Sequence, residues 1–148
     1  MKAIIVEDEL RSAKLLENLL RDYCPDVQLI GSASSVDAGF QLVKSNAIDI
    51  VFLDIEMQKE SGFDLLNKFE NINFEIIFTT AFEHYALKAI KFSAIDYLLK
   101  PIDIEELKAA ISKVSKNNQR HLMNKKFEIL MQNRSVDQTG NLQIALPS

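Results

Sequence analysis

Continuous apolar runs and helical stripes take turns along the first hundred or so positions of the chain. The apolar runs predict strands over 2–7, 27–33, 48–54, 74–80 and 94–99. Ile50-Val51-Phe52-Leu53 and Ile76-Ile77-Phe78 do not alternate with polar residues. Strands covered by helices on both faces of a parallel sheet read this way. Between them, apolar residues recur at i, i+3, i+4 and i+7, the stripe of a helix with one buried face. Leu16, Leu19, Leu20 and Tyr23 make that stripe over 9–23. Phe40 and Val43, with Leu42 beside them, predict a helix over 36–45, and Leu65, Leu66 and Phe69 one over 62–70. The fourth helix, over 83–92, has a weaker stripe in Tyr85, Ala86, Leu87, Ala89 and Ile90. The fifth starts near Asp103, an N-cap with Glu106 three residues on, and continues through Leu107, Ala110, Ile111 and Val114.

Strict strand-helix alternation implies right-handed crossovers and an α/β, doubly wound sheet. Five strands fit the flavodoxin-like order 2-1-3-4-5, in which ligands sit at the carboxyl ends of strands 1 and 3. Those ends carry Glu7-Asp8 and Asp54. Strand 4 ends at Thr80 and strand 5 runs into Lys100-Pro101.

The rhythm stops after about residue 115. Ser115 to Gln119 is polar, and Leu122, Met123, Phe127, Ile129, Leu130 and Met131 then return at helical spacing. Arg134 to Asn141 is polar with one Gly and reads as loop. Leu142-Gln143-Ile144-Ala145-Leu146 is strand-like again. The expected organisation is one domain over 1–117, a partly helical linker over 118–141 and the cut-off start of a second domain over 142–148.

Charge follows the same division. Residues 1–115 hold 12 basic and 19 acidic groups, and residues 116–148 hold five basic and two acidic. The acidic body by itself would repel nucleic acid. At 47% hydrophobic and 26% charged, the 148-residue chain has a globular profile and enough length to bury a core. No apolar run approaches the roughly 20 residues of a membrane span, and the N-terminus lacks the apolar stretch of a secretory signal. One cysteine, Cys24, cannot form an internal disulfide, which fits a reducing, cytoplasmic setting.

The strand ends carry the candidate chemistry. Asp8 and Asp54 supply two carboxylates for Mg2+, which keeps oxygen ligands and several waters, and the backbone carbonyl of Glu56 offers another oxygen. A carboxylate can attack phosphorus and form an aspartyl phosphate. Lys100 and Thr80 could then meet phosphoryl oxygens as a point charge and a hydroxyl donor. Singly, each residue has an ordinary reading: Asp as a turn residue, Thr as a β-former, Lys before Pro as surface. Together, at four strand ends on one edge, they make a site.

Five segments carry a resemblance: Ile5-Val6-Glu7-Asp8-Glu9, Val51 to Met57, Ser61-Gly62-Phe63, Thr79-Thr80-Ala81 and Asp96-Tyr97-Leu98-Leu99-Lys100-Pro101. In this order they resemble the receiver domain of a two-component response regulator, over residues 1 to about 115. Ala81 to Ile90, followed by Ser93 to Pro101, resembles the LytTR-type regulators, which carry a mostly β DNA-binding domain after the receiver. The resemblance implies that Asp54 is phosphorylated by a sensor histidine kinase. It implies that Glu7, Asp8, Asp54 and the Glu56 carbonyl serve Mg2+, and that Thr80 and Lys100 bind the phosphoryl group. Tyr97 would be the aromatic switch, and the Lys100–Pro101 bond would be cis. A homodimer through helix 4, strand 5 and helix 5 would carry the output, with DNA bound only by the domain beyond. Such a chain is a switch whose only chemistry is its own phosphotransfer and dephosphorylation, not an enzyme.

One departure stands out. The family commonly has Pro four residues after the acceptor; here it is Gln58, which predicts a more mobile loop that still binds metal and leaves the phosphorylation lifetime open. Phe82, two residues past Thr80, is expected to shield the acyl phosphate. Two other classes share the fold or the nucleophile. A metal-dependent phosphohydrolase would want its second acid after the first strand, whereas Glu56 follows the third. A flavin carrier would need a Ser/Thr/Gly-rich loop where Glu7-Asp8-Glu9 stands. A pure interaction module would not need the intact set of Asp8, Asp54, Thr80 and Lys100.

Overall fold

The computed structural model describes residues 1–137; the strand expected over 142–148 lies outside them. Ten elements alternate: β1 Lys2–Val6, α1 Leu10–Tyr23, β2 Gln28–Ala33, α2 Val36–Ser45, β3 Ile50–Asp54, α3 Gly62–Leu66, β4 Glu75–Thr80, α4 Ala86–Lys91, β5 Asp96–Leu99 and α5 Ile104–Asp137. The sheet is all parallel in the order β2-β1-β3-β4-β5, as expected.

Burial explains the apolar runs. All five residues of β3 are buried, as are the last five of β4. Ile4, Val6, Val51, Leu53, Ile76 and Phe78 point to the helix layer that holds Phe63 and Leu66. Phe63 stacks on Phe92 with centroids 5.4 Å apart and tilts against Phe78 at 5.2 Å, so the short α3 is held by aromatic packing.

Register brings the strand ends level. Val6 pairs with Leu53, Asp54 with Thr79, and Thr80 with Leu99. The ladder runs one residue further at two places. The Glu7 amide donates to Ala33 O at 2.9 Å, and the Lys100 amide donates to Thr80 O at 2.8 Å. Residues just past each strand are therefore still held by main-chain bonds.

Three helices differ from their sequence pattern. α3 ends at Leu66 rather than near 70, because Asn67 closes it with its amide on Phe63 O and tight turns follow. Phe69 still reaches the core, against Phe40 at 5.0 Å and Phe74 at 5.3 Å, so its apolar spacing reports burial and not helix. α4 begins at Ala86 rather than 83, after a turn in which the Ala86 amide donates to Glu83 O. α5 does not break at 115–119 and is helical through Asp137, where loop was expected from 134. Between Pro101 and Gly140 the chain has neither Gly nor Pro. Polar residues such as Lys, Gln and Arg continue a helix readily. The Asp103 cap is in place, its carboxylate accepting from the Glu106 amide at 3.0 Å.

The chain divides into two compact units, Met1–Ser112 and the stretch from Lys113. In the second, Leu122, Met123, Phe127, Ile129 and Leu130 are exposed.

Candidate functional site

Asp54 ends the central strand and is buried, as is Glu7, which follows β1. Asp8, half-buried, comes next in the chain. Each of these three offers a carboxylate oxygen within 4.8 Å of the others. Gly62 keeps the floor close. A Cβ there would lie 2.9 Å from Leu53 Cγ and nearer still to the Asp54 carbonyl oxygen, so only glycine fits where α3 starts.

Lys100 closes the cluster. Its ammonium pairs with Glu7 Oε1 and stands 3.5 Å from Asp54 Oδ1. Burial drives the Lys100 pKa down, but the Glu7 hydrogen bond and the charges of Asp54 and Glu7 outweigh it and hold it above the usual range. Burial pushes the Asp54 carboxyl up, the hydrogen bond and charge of Glu7 push it further, and Lys100 only partly opposes them, so it reaches about 7. Crowded carboxylates of this kind call for a cation.

The remaining candidates sit around this cluster. A cavity of about 680 Å³ opens over Glu7, Asp8, Asp54 and Lys100, and Glu56 and Phe82 are also in its wall. Thr80 is fully buried, and its Oγ1 accepts from the Phe82 amide at 3.2 Å. Tyr97 donates its hydroxyl to the Phe82 carbonyl. Thr80 and Tyr97 thus meet at Phe82 and are not in the cavity wall. The Glu56 side chain stays out of the three-carboxylate cluster and accepts from the Tyr85 hydroxyl at 3.3 Å. The Lys100–Pro101 peptide is cis.

Two contacts escaped the sequence reading. The Gln58 amide donates to Asp8 Oδ2 at 2.6 Å, and Glu60 Oε2 accepts from the Val36 amide at 2.7 Å. Both use a main-chain donor, which leaves no mark in the sequence.

Residues 3–112 match the family described as the response regulator receiver domain. The chain belongs to that family. The receiver is 32% identical to the sensory transduction protein LytT of Bacillus anthracis over 99% of this chain and 58% of that protein. It is 37% identical to LytR of Staphylococcus haemolyticus over 77% of this chain and 45% of that protein. The chain thus spans about half the length of the curated relatives it matches. Among solved structures it is similar to the response regulator TrrA of Thermotoga maritima, in complex with Mg2+ and BeF, at TM-score 0.67 and 26% identity, over 76% of this chain and 97% of that one. It is a response-regulator receiver homologous to the LytT and LytR regulators, and those relatives are signalling proteins. Among the described residues no helix is long and apolar enough to cross a membrane.

Proposed function

We propose that the receiver is the phosphorylation-controlled input of a LytTR-type transcription regulator, with Asp54 taking a phosphoryl group from a sensor histidine kinase. The observation that carries this is the surroundings of Asp54: a buried carboxylate beside an open acidic cavity, with the Lys100 ammonium 3.5 Å from its Oδ1. An Asp54 oxygen attacks phosphorus, the new O–P bond forms as the P–N bond to the kinase imidazole breaks, and the imidazole keeps that electron pair. Ionised Asp54 is the nucleophile.

The donor set fits Mg2+. It is all hard oxygen, with three carboxylates in reach of one point. Glu7, Asp8, Asp54 and the Glu56 carbonyl are the residues that would hold it. When bound, Mg2+ neutralises charge on the carboxylates and on the transferring phosphoryl group. Lys100 then exchanges its pairing with Glu7 for a phosphoryl oxygen, and Thr80 trades the Phe82 amide for another. Because Tyr97 also grips Phe82, that exchange reaches the β4–α4 loop.

The output we propose is a homodimer through α4, β5 and the first turns of α5. Leu87 and Ile90 of α4, 79% and 70% exposed, support that face. DNA contact belongs to a LytTR domain beyond residue 142, and the setting is cytoplasmic. The receiver turns over no substrate beyond its own phosphotransfer and dephosphorylation.

The test is labelling with a small acyl phosphate or phosphoramidate and Mg2+, read by intact mass. One phosphoryl group per wild-type chain and none on Asp54→Asn is the expected result. Labelling that persists in Asp54→Asn, or catalytic release of phosphate from a general phosphatase substrate, would overturn the proposal in favour of another nucleophile or of a phosphohydrolase.

A further inference from the structure

We propose that the main-chain N–H of Gln58 is a positioning donor for Asp8, holding its carboxylate turned toward Glu7 and Asp54 in readiness for Mg2+. The Gln58 amide lies 2.6 Å from Asp8 Oδ2, although the two residues are 50 apart in the chain. That separation is short for an N–H on a carboxylate oxygen. Asp8 follows β1 and is only half-buried, so packing alone does not choose its rotamer. The amide does. One carboxylate offers about four acceptor sites, so one bond to Gln58 leaves the others open to a cation.

The donor is itself held. Within the β3–α3 loop the Met57 amide donates to Glu60 O at 3.2 Å and the Gly62 amide to Ile55 O at 2.8 Å. Glu56 and Ser61 face each other in an antiparallel bridge that closes the loop. Glu60 then fastens it to the first residue of α2 through the Val36 amide at 2.7 Å. The Gln58 N–H therefore comes from a closed loop anchored to a helix, and fixing Asp8 in advance removes an ordering cost from ion binding. Any residue but proline could give this bond, because proline has no N–H.

The inference rests on Asp8 being a metal ligand, and the experiment separates the two. Calorimetric Mg2+ titration compares the wild type with Gln58→Pro, which deletes the N–H, and Gln58→Ala, which keeps it. Gln58→Pro is expected to weaken Mg2+ binding by roughly tenfold, whereas Gln58→Ala, which keeps the N–H, stays close to the wild type. No Mg2+ binding by the wild type would overturn the reading of Asp8 as a ligand. Unchanged or tighter binding in Gln58→Pro, or equal weakening in both variants, would overturn the positioning role alone. Should Gln58→Pro fail to fold, amide exchange in the wild type decides. The Gln58 amide is expected downfield and slow to exchange, and to shift when Mg2+ is added. Exchange as fast as that of exposed Lys59, with no shift, would overturn the proposal.

Discussion

Thr80 and Tyr97 hold opposite ends of one residue. Thr80 Oγ1 accepts from the Phe82 N–H at 3.2 Å, and the Tyr97 hydroxyl donates to the Phe82 carbonyl. The first comes from the end of β4, the second from β5, and Phe82 lies in the wall of the acidic cavity. Any movement that takes the Thr80 hydroxyl leaves the Phe82 main chain with the Tyr97 hydrogen bond and without the Thr80 one.

Removing the Tyr97 hydroxyl should loosen that residue without unfolding the sheet. The Phe82 carbonyl is near solvent and can find water instead, so the net loss for Tyr97→Phe is about 0.5–1 kcal/mol. The sharper readout is hydrogen exchange across residues 81–86. Exchange there is expected to quicken in Tyr97→Phe while β1 and β3 keep their protection. Uniform quickening across the sheet would mean that Tyr97 acts through global stability instead.

Gly62→Ala should be far more damaging. The new Cβ would sit 2.9 Å from Leu53 Cγ and press closer still on the Asp54 carbonyl, which is main chain and cannot swing aside. Overpacking at such a position costs about 1–3 kcal/mol or more. A fall in melting temperature of several degrees is expected, together with weaker Mg2+ binding, since the carbonyl that must move belongs to Asp54, one of the three clustered carboxylates. An unchanged melting temperature would show that α3 can shift to make room.

The sheet was open to reading because both its signals were strong. Unbroken apolar runs such as Ile50 to Leu53, too short for a helix, fit a strand covered on both faces, and charged residues at their carboxyl ends collect on one edge of a parallel sheet. Glu7, Asp8, Asp54 and Lys100 follow from that pattern. What stayed hidden depends on partners that leave no trace in residue type. Phe69 kept helical spacing but packs from a turn. The 115–119 stretch is polar and interrupts the apolar stripe, yet polarity without Gly or Pro does not end a helix. The Gln58 and Val36 amides are the plainest case, since every non-proline residue carries the same N–H.

Glu60 is the accessible handle on the second of those amides. Its carboxylate takes the Val36 N–H, while Ser35 Oγ takes that of Ala38 at 3.1 Å, so two donors at the start of α2 have separate acceptors. Losing an N-terminal acceptor costs about 0.5–2 kcal/mol. Glu60→Ala should fall within that range, as should Ser35→Ala. The double variant should lose nearly the sum if the acceptors are independent. Denaturant melts of the three variants check this. A double variant no worse than Glu60→Ala would show that the Ser35 cap works only while the Glu60 contact is in place.

Asp54 gives the chain a pH signature of definite sign. Burial and Glu7 raise its carboxyl from 3.8 to about 7. Between those values the folded chain keeps a proton that the unfolded chain has released, so the folded state binds more protons and stability falls as pH rises. The contribution is complete below about pH 4 and is lost as pH climbs through about 7. The raised Lys100 titrates far above this window and does not disturb it. Asp54→Asn removes the titration and keeps the shape. The variant should therefore gain on the wild type as pH increases, by about 1–3 kcal/mol between pH 5 and pH 8. Mg2+ at millimolar concentration should shrink the gap at pH 8, because it supplies the positive charge the carboxylates lack. Melting curves of both proteins at pH 5 and pH 8, with and without Mg2+, give all the comparisons needed. A gap that stays constant with pH would mean that Lys100 alone already compensates Asp54, and a gap that widens with Mg2+ would mean the ion binds elsewhere.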